Sequence, residues 1–455
     1  MLFRSRVWTN GGNGSIYTNA VYRDPAAWYH IVLQSSTVSP YFQLYVNGSQ
    51  VTSFSYDNRT TYPGASNTEV DSAVAHYISG YTGYYFDGYM SEINFIDGQA
   101  LAPTAFGTFN SYGVWQPITY GGSYGTNGFY LPFTNTTSTT TLGYDFSPNG
   151  NNWTTNNISL TAGSTYDSMT DVPTLTSATA ANYCVLNPID SFGSPTISNG
   201  NLYQTGGTWG ISRGTIAPSS GKWYFEALLN EITYSQLGVA QTNIVLSSDI
   251  GNAAGGWDYY PKYNEVKNNS VSGTAGGTGA NNDIVMVAYD LDNGKLWFGL
   301  NGTWFNSGNP ATGANANYSN LSGSIAPAVG TYSSGAISVN FGQRPFTYTP
   351  PSGYVALNTY NLPASTISNG ATVMAATTYT GTGATNSIAN TVNGVSFKPD
   401  LVWIKSRNVA GSNFLADSVR GTTIDLFSDS TSAEVTYVNG LTAFASNGFT
   451  LGSGA

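Results

Sequence analysis

Apolar residues in this chain alternate with polar ones over short runs of roughly four to eight residues, and Gly, Asn, Asp and Pro punctuate the runs. A period of two places neighbouring side chains on opposite faces of a strand, and no segment sustains a helical period. "AWYHIVL" (26–32) and "YFQLYVNGSQVTSF" (41–54) are clear strands. In the second, an Asn47-Gly48 turn sets Leu44 opposite Val51 and Val46 opposite Ser49. "YFDGYMSEINFIDGQAL" (85–101) predicts a strand in which Ile93 and Phe95 alternate, ending at Asp97-Gly98.

The longest hairpin signal is "DIVMVAYDLDNGKLWFGLNG" (283–302). A two-residue type I′ turn at Asn293-Gly294 pairs Asp292 with Lys295, Leu291 with Leu296, Asp290 with Trp297, Tyr289 with Phe298 and Val287 with Leu300. One face then carries Val285, Val287, Tyr289, Leu291, Leu296, Phe298 and Leu300, and this is the core face. The other carries Asp290, Asp292, Lys295 and Trp297. A second turn at Asn301-Gly302 brings Trp304 across from Gly299 on that outer face. The pattern predicts an all-β chain of tandem β-sandwich domains.

Composition refines this picture. At 455 residues the chain has room for roughly three domains of about 150 residues. Only 8% of residues are charged, while 40% are hydrophobic and 33 are tyrosine, so Gly, Ser, Thr and Asn supply the polarity. That mixture suits short strands and tight turns. The net charge of −10, from 24 acids and 14 bases, offers no footprint for nucleic acid or an anionic membrane. No run approaches the ~18 apolar residues of a spanning helix, and "MLFRSRVW" lacks the apolar core of a secretory signal. Sequons such as Asn58 to Thr60 are then compositional. A single cysteine, Cys184, excludes an internal disulfide, and its apolar setting in "NYCVLNP" points to an inert thiol.

The pentapeptide "TISNG" occurs at Thr196 to Gly200 and again at Thr366 to Gly370, with a proline shortly before each copy. Taken as punctuation where a new first strand begins, it places boundaries near 190 and 362. Four regions follow: 1–110, a Gly/Asn-rich linking module at 111–190, 191–361 and 362–455.

"WYHIV", "LYVNG" and "FDGYMSEINFIDGQALAP" in the first region resemble the LamG-like, concanavalin A-type jelly roll. Only 27 residues precede Trp28, where that fold has several strands, so the resemblance implies an N-terminally incomplete domain. "SGKWYFEALL" (220–229), "LGVA" (237–240), "DIVMVAYDLDNGKLWFGLNG" and "ISVNFGQRPF" (337–346) resemble a SPRY domain, also a β-sandwich. "FKPDLVWIKSRN", "LADSVRGTTIDLFSDSTSAE" and "FASNGFTLG" resemble β-rich modules of bacteriophage structural proteins, and the resemblance implies a C-terminally incomplete module. The whole arrangement resembles large virion proteins of marine phages. It implies tandem jelly-roll, concanavalin A-like sandwiches in a fibre or appendage at the surface or tail of the particle.

Trp297 and Trp304 flanking Gly299 beside Asp290 form a candidate sugar-stacking platform, because aromatic faces take the apolar side of a pyranose and an acid accepts its hydroxyls. The competing reading is that both tryptophans cover the sheet. "GGWDYYPKYNE" (255–265) offers Trp257, Tyr259, Tyr260 and Tyr263, either as loop recognition groups or as half-buried strand residues. Catalysis of glycoside hydrolysis needs two facing carboxylates. Asp87, Glu92 and Asp97 are spaced by five, which puts neighbours on opposite strand faces, and no catalytic residue is assigned. Trp28 and His30 share one strand face, so His30 is expected to be structural, and with His76 alone there is no zinc set. No cofactor is assigned. The LamG resemblance keeps calcium open, with Asp57, Asp71 and Asp87 as acids that no spacing selects. Lys405, Arg407 and Arg420 are the tightest cationic group of the tail, the first two on one strand face.

The sequence reading is therefore a non-enzymatic adhesion protein that recognises a host-surface glycan or protein. The alternatives are a structural component that binds other virion proteins and a fragment of a polysaccharide-degrading enzyme. Neither nucleic acid nor membrane insertion is expected, and no heptad or collagen-like repeat specifies a homo-oligomer.

Overall fold

A computed structural model of the chain describes residues 2–9, 12–36, 38–59, 75–81, 83–174, 177–392 and 394–454. The chain folds as two compact units, Met1–Gly107 with Gln116–Pro363, and Thr108–Trp115 with Ala364–Ala455. Apart from residues 108–115, the first three expected regions share one unit. The fold is all-β, and the only α-helix among the described residues is the single turn Thr139–Leu142, capped by Ser138.

Near the N-terminus, strands Leu2–Thr9, Gly12–Val21 and Phe54–Asp57 form one small sheet, and Ile31–Ser35, Phe42–Val46 and Ser49–Gln50 another. Ile16, Phe42, Leu44 and Val46 make their core. The Asn47-Gly48 turn forms as expected, with both φ angles positive and Val46 opposite Ser49. Ile93–Phe95 pairs with Phe129–Leu131 from the linking region. That region is mostly irregular backbone organised by polar side chains. The Asp145 carboxylate accepts the N–H groups of Tyr130, Ser147 and Asn151, while Asn149 and Asn151 both donate to the Gly128 carbonyl. Its later part ties the N-terminal strands to the middle region: Trp28 Nε1 and the Tyr183 N–H both donate to Asp171.

The middle region is a large two-sheet sandwich. Its strands are β1 (Leu186–Phe192), β2 (Thr196–Ser198), β3 (Tyr203–Thr205), β4 (Gly210–Gly214), β5 (Lys222–Glu231), β6 (Ser235–Gln241), β7 (Gly256–Tyr260), β8 (Glu265–Asn268), β9 (Val271–Thr274), β10 (Ile284–Asp290), β11 (Lys295–Leu300), β12 (Thr303–Trp304), β13 (Ile325–Thr331), β14 (Ala336–Asn340) and β15 (Val355–Ala356). One sheet runs β1-β4-β13-β6-β7-β8-β9 and the other β2-β3-β14-β5-β10-β11-β12, with β15 parallel beside β5. Phe225, Leu229, Leu237, Val239, Trp257, Tyr259, Val285, Val287, Tyr289, Leu296, Phe298, Val329 and Phe341 fill the space between them.

The β10–β11 hairpin differs in register from the sequence expectation. Asp290 pairs with Lys295, Tyr289 with Leu296, Ala288 with Trp297, Val287 with Phe298 and Val285 with Leu300. The connection is four residues long, because Asp290 accepts both the backbone N–H and the side-chain amide of Asn293 and so closes the turn one pair earlier. Asn293 does not adopt the positive φ that type I′ demands, whereas Asn301 and Gly302 both do. The slip amounts to two residues in the pairing sum, so every residue keeps its expected face.

Both sheets are covered on their outer faces as well. Trp297, which the sequence reading set on the outer face as either a platform or a covered residue, is covered: it is 0% exposed. It packs with Tyr224, Met286, Ala288 and Tyr354, and its Nε1 donates to the Ala314 carbonyl. Residues 305–321 and 345–354 form this cover. Glu226 anchors it from a buried position on β5, accepting the N–H groups of Thr347 and Tyr348 and the Tyr224 hydroxyl, each at 2.8 Å. On the other sheet, residues 242–253 lay Leu246 and Ile250 over Ile211, Ala240 and Ala328. Asp249 and buried Asp258 both accept the Gly251 N–H, and Lys267 pairs with Asp249 at 2.8 Å.

The second unit packs a four-stranded sheet (401–404, 414–417, 424–427, 435–436) on a three-stranded one (386–389, 441–445, 448–451). Ile388, Val402, Ala416, Leu441 and Leu451 are its core. The second "TISNG" copy opens no strand; its Asn369 caps the short 3-10 turn Gly370–Thr372 instead.

Two outcomes follow. Glu226→Ala strands two backbone donors and a hydroxyl, and is expected to destabilise the first unit by about 3 kcal/mol in urea unfolding, with Glu226→Gln costing less than half of that. Burial, followed by the neighbouring Asp249 charge, raises the Asp258 carboxyl well above its ordinary 3.8, so the folded chain keeps it protonated while the unfolded chain ionises it. Its contribution to stability is complete below about pH 3.8 and falls as pH rises towards the folded value. Asp258→Asn, whose amide can donate to Asp249 at any pH, should gain stability over the natural chain as pH increases from about 4 to 7 in thermal melts.

Candidate functional site

Five consecutive strands of the seven-stranded sheet, β1, β4, β13, β6 and β7, present an aromatic residue at the same end. Phe192 and Tyr260 are the last residues of β1 and β7, Tyr332 follows β13, and Trp209 and Tyr234 precede β4 and β6. Antiparallel order makes these ends coincide: Gly210 and Ser235 both pair with Thr331, and Phe192 pairs with Ile211. Four inter-strand steps of about 4.8 Å give a band about 19 Å long.

Apart from Phe192, which strand pairing alone places beside them, the rings touch one another or Lys262. Trp209 stacks on Tyr332 at 4.7 Å and meets Tyr234 edge-on at 5.7 Å, while Tyr234 and Tyr332 meet at 5.2 Å. Lys262 follows, its ammonium 5.9 Å from the Tyr234 ring and 6.0 Å from that of Tyr263. Tyr263 meets Tyr260 edge-on at 4.8 Å. Phe192 and Tyr263 at the two extremes are 41% and 52% exposed, and the others are half-buried.

The backbone beneath is held tightly. Buried Gln204 on β3 donates to the carbonyls of Gly210 and Val329 and to Thr331 Oγ1, and Thr331 donates in turn to the Gly206 carbonyl. Tyr332 N–H donates to the Tyr234 carbonyl. Trp209 and Tyr234 stand at φ 54° and 60°, left-handed values that large side chains rarely adopt. Such strain at two neighbouring aromatics shows that the surrounding structure imposes this geometry, and strain of this kind concentrates where side chains are positioned for a task.

Charge along the band is nearly balanced. Lys262 is its cation. Glu231 lies beside it, its carboxyl held below the usual range by hydrogen bonds from Thr233 and then from the Asn281 amide. Glu265, at the start of β8, accepts a hydrogen bond from Ser272.

The sequence candidates divide into two groups. Tyr260 and Tyr263 join the band. Trp257 and Tyr259 turn into the core instead, their polar atoms satisfied by Asn320 and the Gly277 carbonyl. Trp297 is sealed beneath the cover, and Trp304 packs against the same outer cluster. Asp290 is buried, ion-paired to Lys222 at 3.3 Å, so of the two readings weighed for Trp297, Trp304 and Asp290 the structure has the covered layer and not the candidate platform. Phe192, Trp209, Tyr234 and Tyr332 were missed. Their signal was an aromatic set against turn formers, as in "TGGTWG" and "GTYSSG", but only strand order brings them together.

The remaining candidates have structural partners. Asp87 accepts the Gly200 N–H, Glu92 the Tyr130 hydroxyl, and Asp97 the N–H groups of Thr126 and Asn127. Asp57 pairs with Arg59, and Asp71 lies outside the described residues; among the described residues no group of three His, Cys, Asp or Glu side chains gathers. Burial lowers the His30 pKa, as for a structural imidazole, and His76 is exposed. Burial pushes the Cys184 thiol up to about 12. The strand beneath "LVWI" ends at Ile404, so Lys405 and Arg407 share no strand face. Lys405 donates to the Gly411 carbonyl, and Arg420 pairs with Asp417 and Glu434.

Because left-handed backbone is strained for tyrosine and free for glycine, Tyr234→Gly is expected to be more stable than Tyr234→Ala by about 1 kcal/mol, measured by chemical denaturation. Equal stabilities would remove the argument that the fold forces this residue into position.

Two family models match parts of the chain. Residues 222–344 match the SPRY domain, and residues 369–455 match a domain of unknown function (DUF7483). Among solved structures, the crystal structure of the SPRY domain of human HERC1 is similar at 15% identity and a TM-score of 0.28, over 34% of this chain and 96% of that one. The family match thus gives this all-β chain a SPRY domain at residues 222–344.

Proposed function

We propose that this chain is a non-enzymatic recognition protein, a fibre or appendage component of a phage particle that adheres to a host surface through glycans. The observation that supports this most is the aromatic band across five strand ends, fixed by the Gln204 network and by strained backbone at Trp209 and Tyr234. Tyrosine and tryptophan give large contact area with little conformational freedom to lose, and their polar edges accept and donate to hydroxyls. Weak single sites of this kind gain avidity when a particle carries many copies.

A second reading, a structural component that binds other particle proteins, is favoured by the second unit. The outer face of its four-stranded sheet carries Leu401 and Trp403, 60% and 64% exposed, beside Leu415 and Leu426. An apolar sheet face of this kind is typical of protein contacts.

Trp209→Ala combined with Tyr332→Ala is expected to abolish binding of the purified chain to host cells while leaving its thermal melt largely intact. Trp403→Ser should leave cell binding unchanged. Normal cell binding by the double variant, with loss by Trp403→Ser, would shift the assignment to the second unit.

A further inference from the structure

We infer that the aromatic band takes an internal stretch of a linear, uncharged polysaccharide, laid across the strand ends from Phe192 to Tyr263, and not a terminal sugar. This inference rests on the recognition reading given above for the same surface. Three features of the band carry it.

The first is shape. A site for a terminal sugar is a pocket closed around one ring. Here the aromatics form a row, one for each of five adjacent strands with Tyr263 on the turn after β7, open at both extremes where Phe192 and Tyr263 are the most exposed members. A row about 19 Å long is matched by several sugar units in sequence.

The second is its division into two stacking stations. Trp209, Tyr234 and Tyr332 form one, Tyr260 and Tyr263 the other, and Lys262 stands between them. A ligand that engages both must be long enough to pass over Lys262. Affinity then depends on chain length, because the second contact forms within an already bound molecule.

The third is charge. Lys262 is accompanied by Glu231 and Glu265 at the same end of the sheet, and the chain carries a net charge of −10. A polyuronate or sulfated polymer meets no positive surplus here. Apart from Tyr260, whose hydroxyl is buried, the tyrosine hydroxyls and the indole edge can instead satisfy neutral sugar hydroxyls, while the ring faces cover their C–H surfaces.

The experiment is calorimetric titration of the full chain with neutral linear glucan, mannan and galactan oligomers of increasing length, with polyuronate oligomers and a proline-rich peptide alongside. At least one neutral series should bind, with affinity rising roughly tenfold or more between oligomers that cover one station and those that cover both. Phe192→Ala, at an exposed position outside both stations, should weaken the long oligomers and leave the short ones unchanged, while Tyr263→Ala, within the smaller station, should remove most of the gain of long oligomers over short ones. Length-independent binding, binding confined to polyuronates or to the peptide, or no binding by any neutral series would overturn the inference. If band variants still abolish cell adhesion in those cases, the recognition surface stands and only the polymer assignment falls.

Discussion

Two-sided burial of the central sheets is the constraint on which the rest of this structure depends. Strands β10 and β13 are buried along almost their whole length, so neither sheet has a free face to give to solvent. Each outer face must therefore be closed by irregular chain, and that chain brings backbone N–H groups out of water. The cover holds only where a side chain meets those groups. Glu226 does so for Thr347 and Tyr348, and Asp258 with Asp249 does so for Gly251. In a chain with so few charged residues, these carboxylates sit inside the fold as hydrogen-bond acceptors.

Closing the faces also decides where recognition can occur. With both broad surfaces of the sandwich occupied, large aromatics stay accessible mainly at the ends of the strands. The band from Phe192 to Tyr263 lies at such an end. Its precision comes from the other sheet, since Gln204 on β3 reaches across to the ends of β4 and β13. Backbone strain at Trp209 and Tyr234 is tolerated because those bonds and the tight approach of Gly335 to the Thr233 and Tyr234 carbonyls leave no alternative path. A surface for binding is thus produced by the same packing that stabilises the core.

Local pattern determined much of this protein. Alternation of apolar residues determined the all-β class, and paired glycines and asparagines determined the turns at Asn47-Gly48 and Asn301-Gly302, because positive φ at two successive residues leaves few other choices. Faces survived even where register did not: the β10–β11 slip preserved them because side chains alternate with period two. Tertiary structure decided the rest. Whether Trp297 faced solvent depended on a cover more than ten residues away in sequence, and whether Trp209, Tyr234 and Tyr332 formed one surface depended on strand order. Neither is encoded in local periodicity, since a strand's pattern states which side is apolar and not what lies against it or beside it.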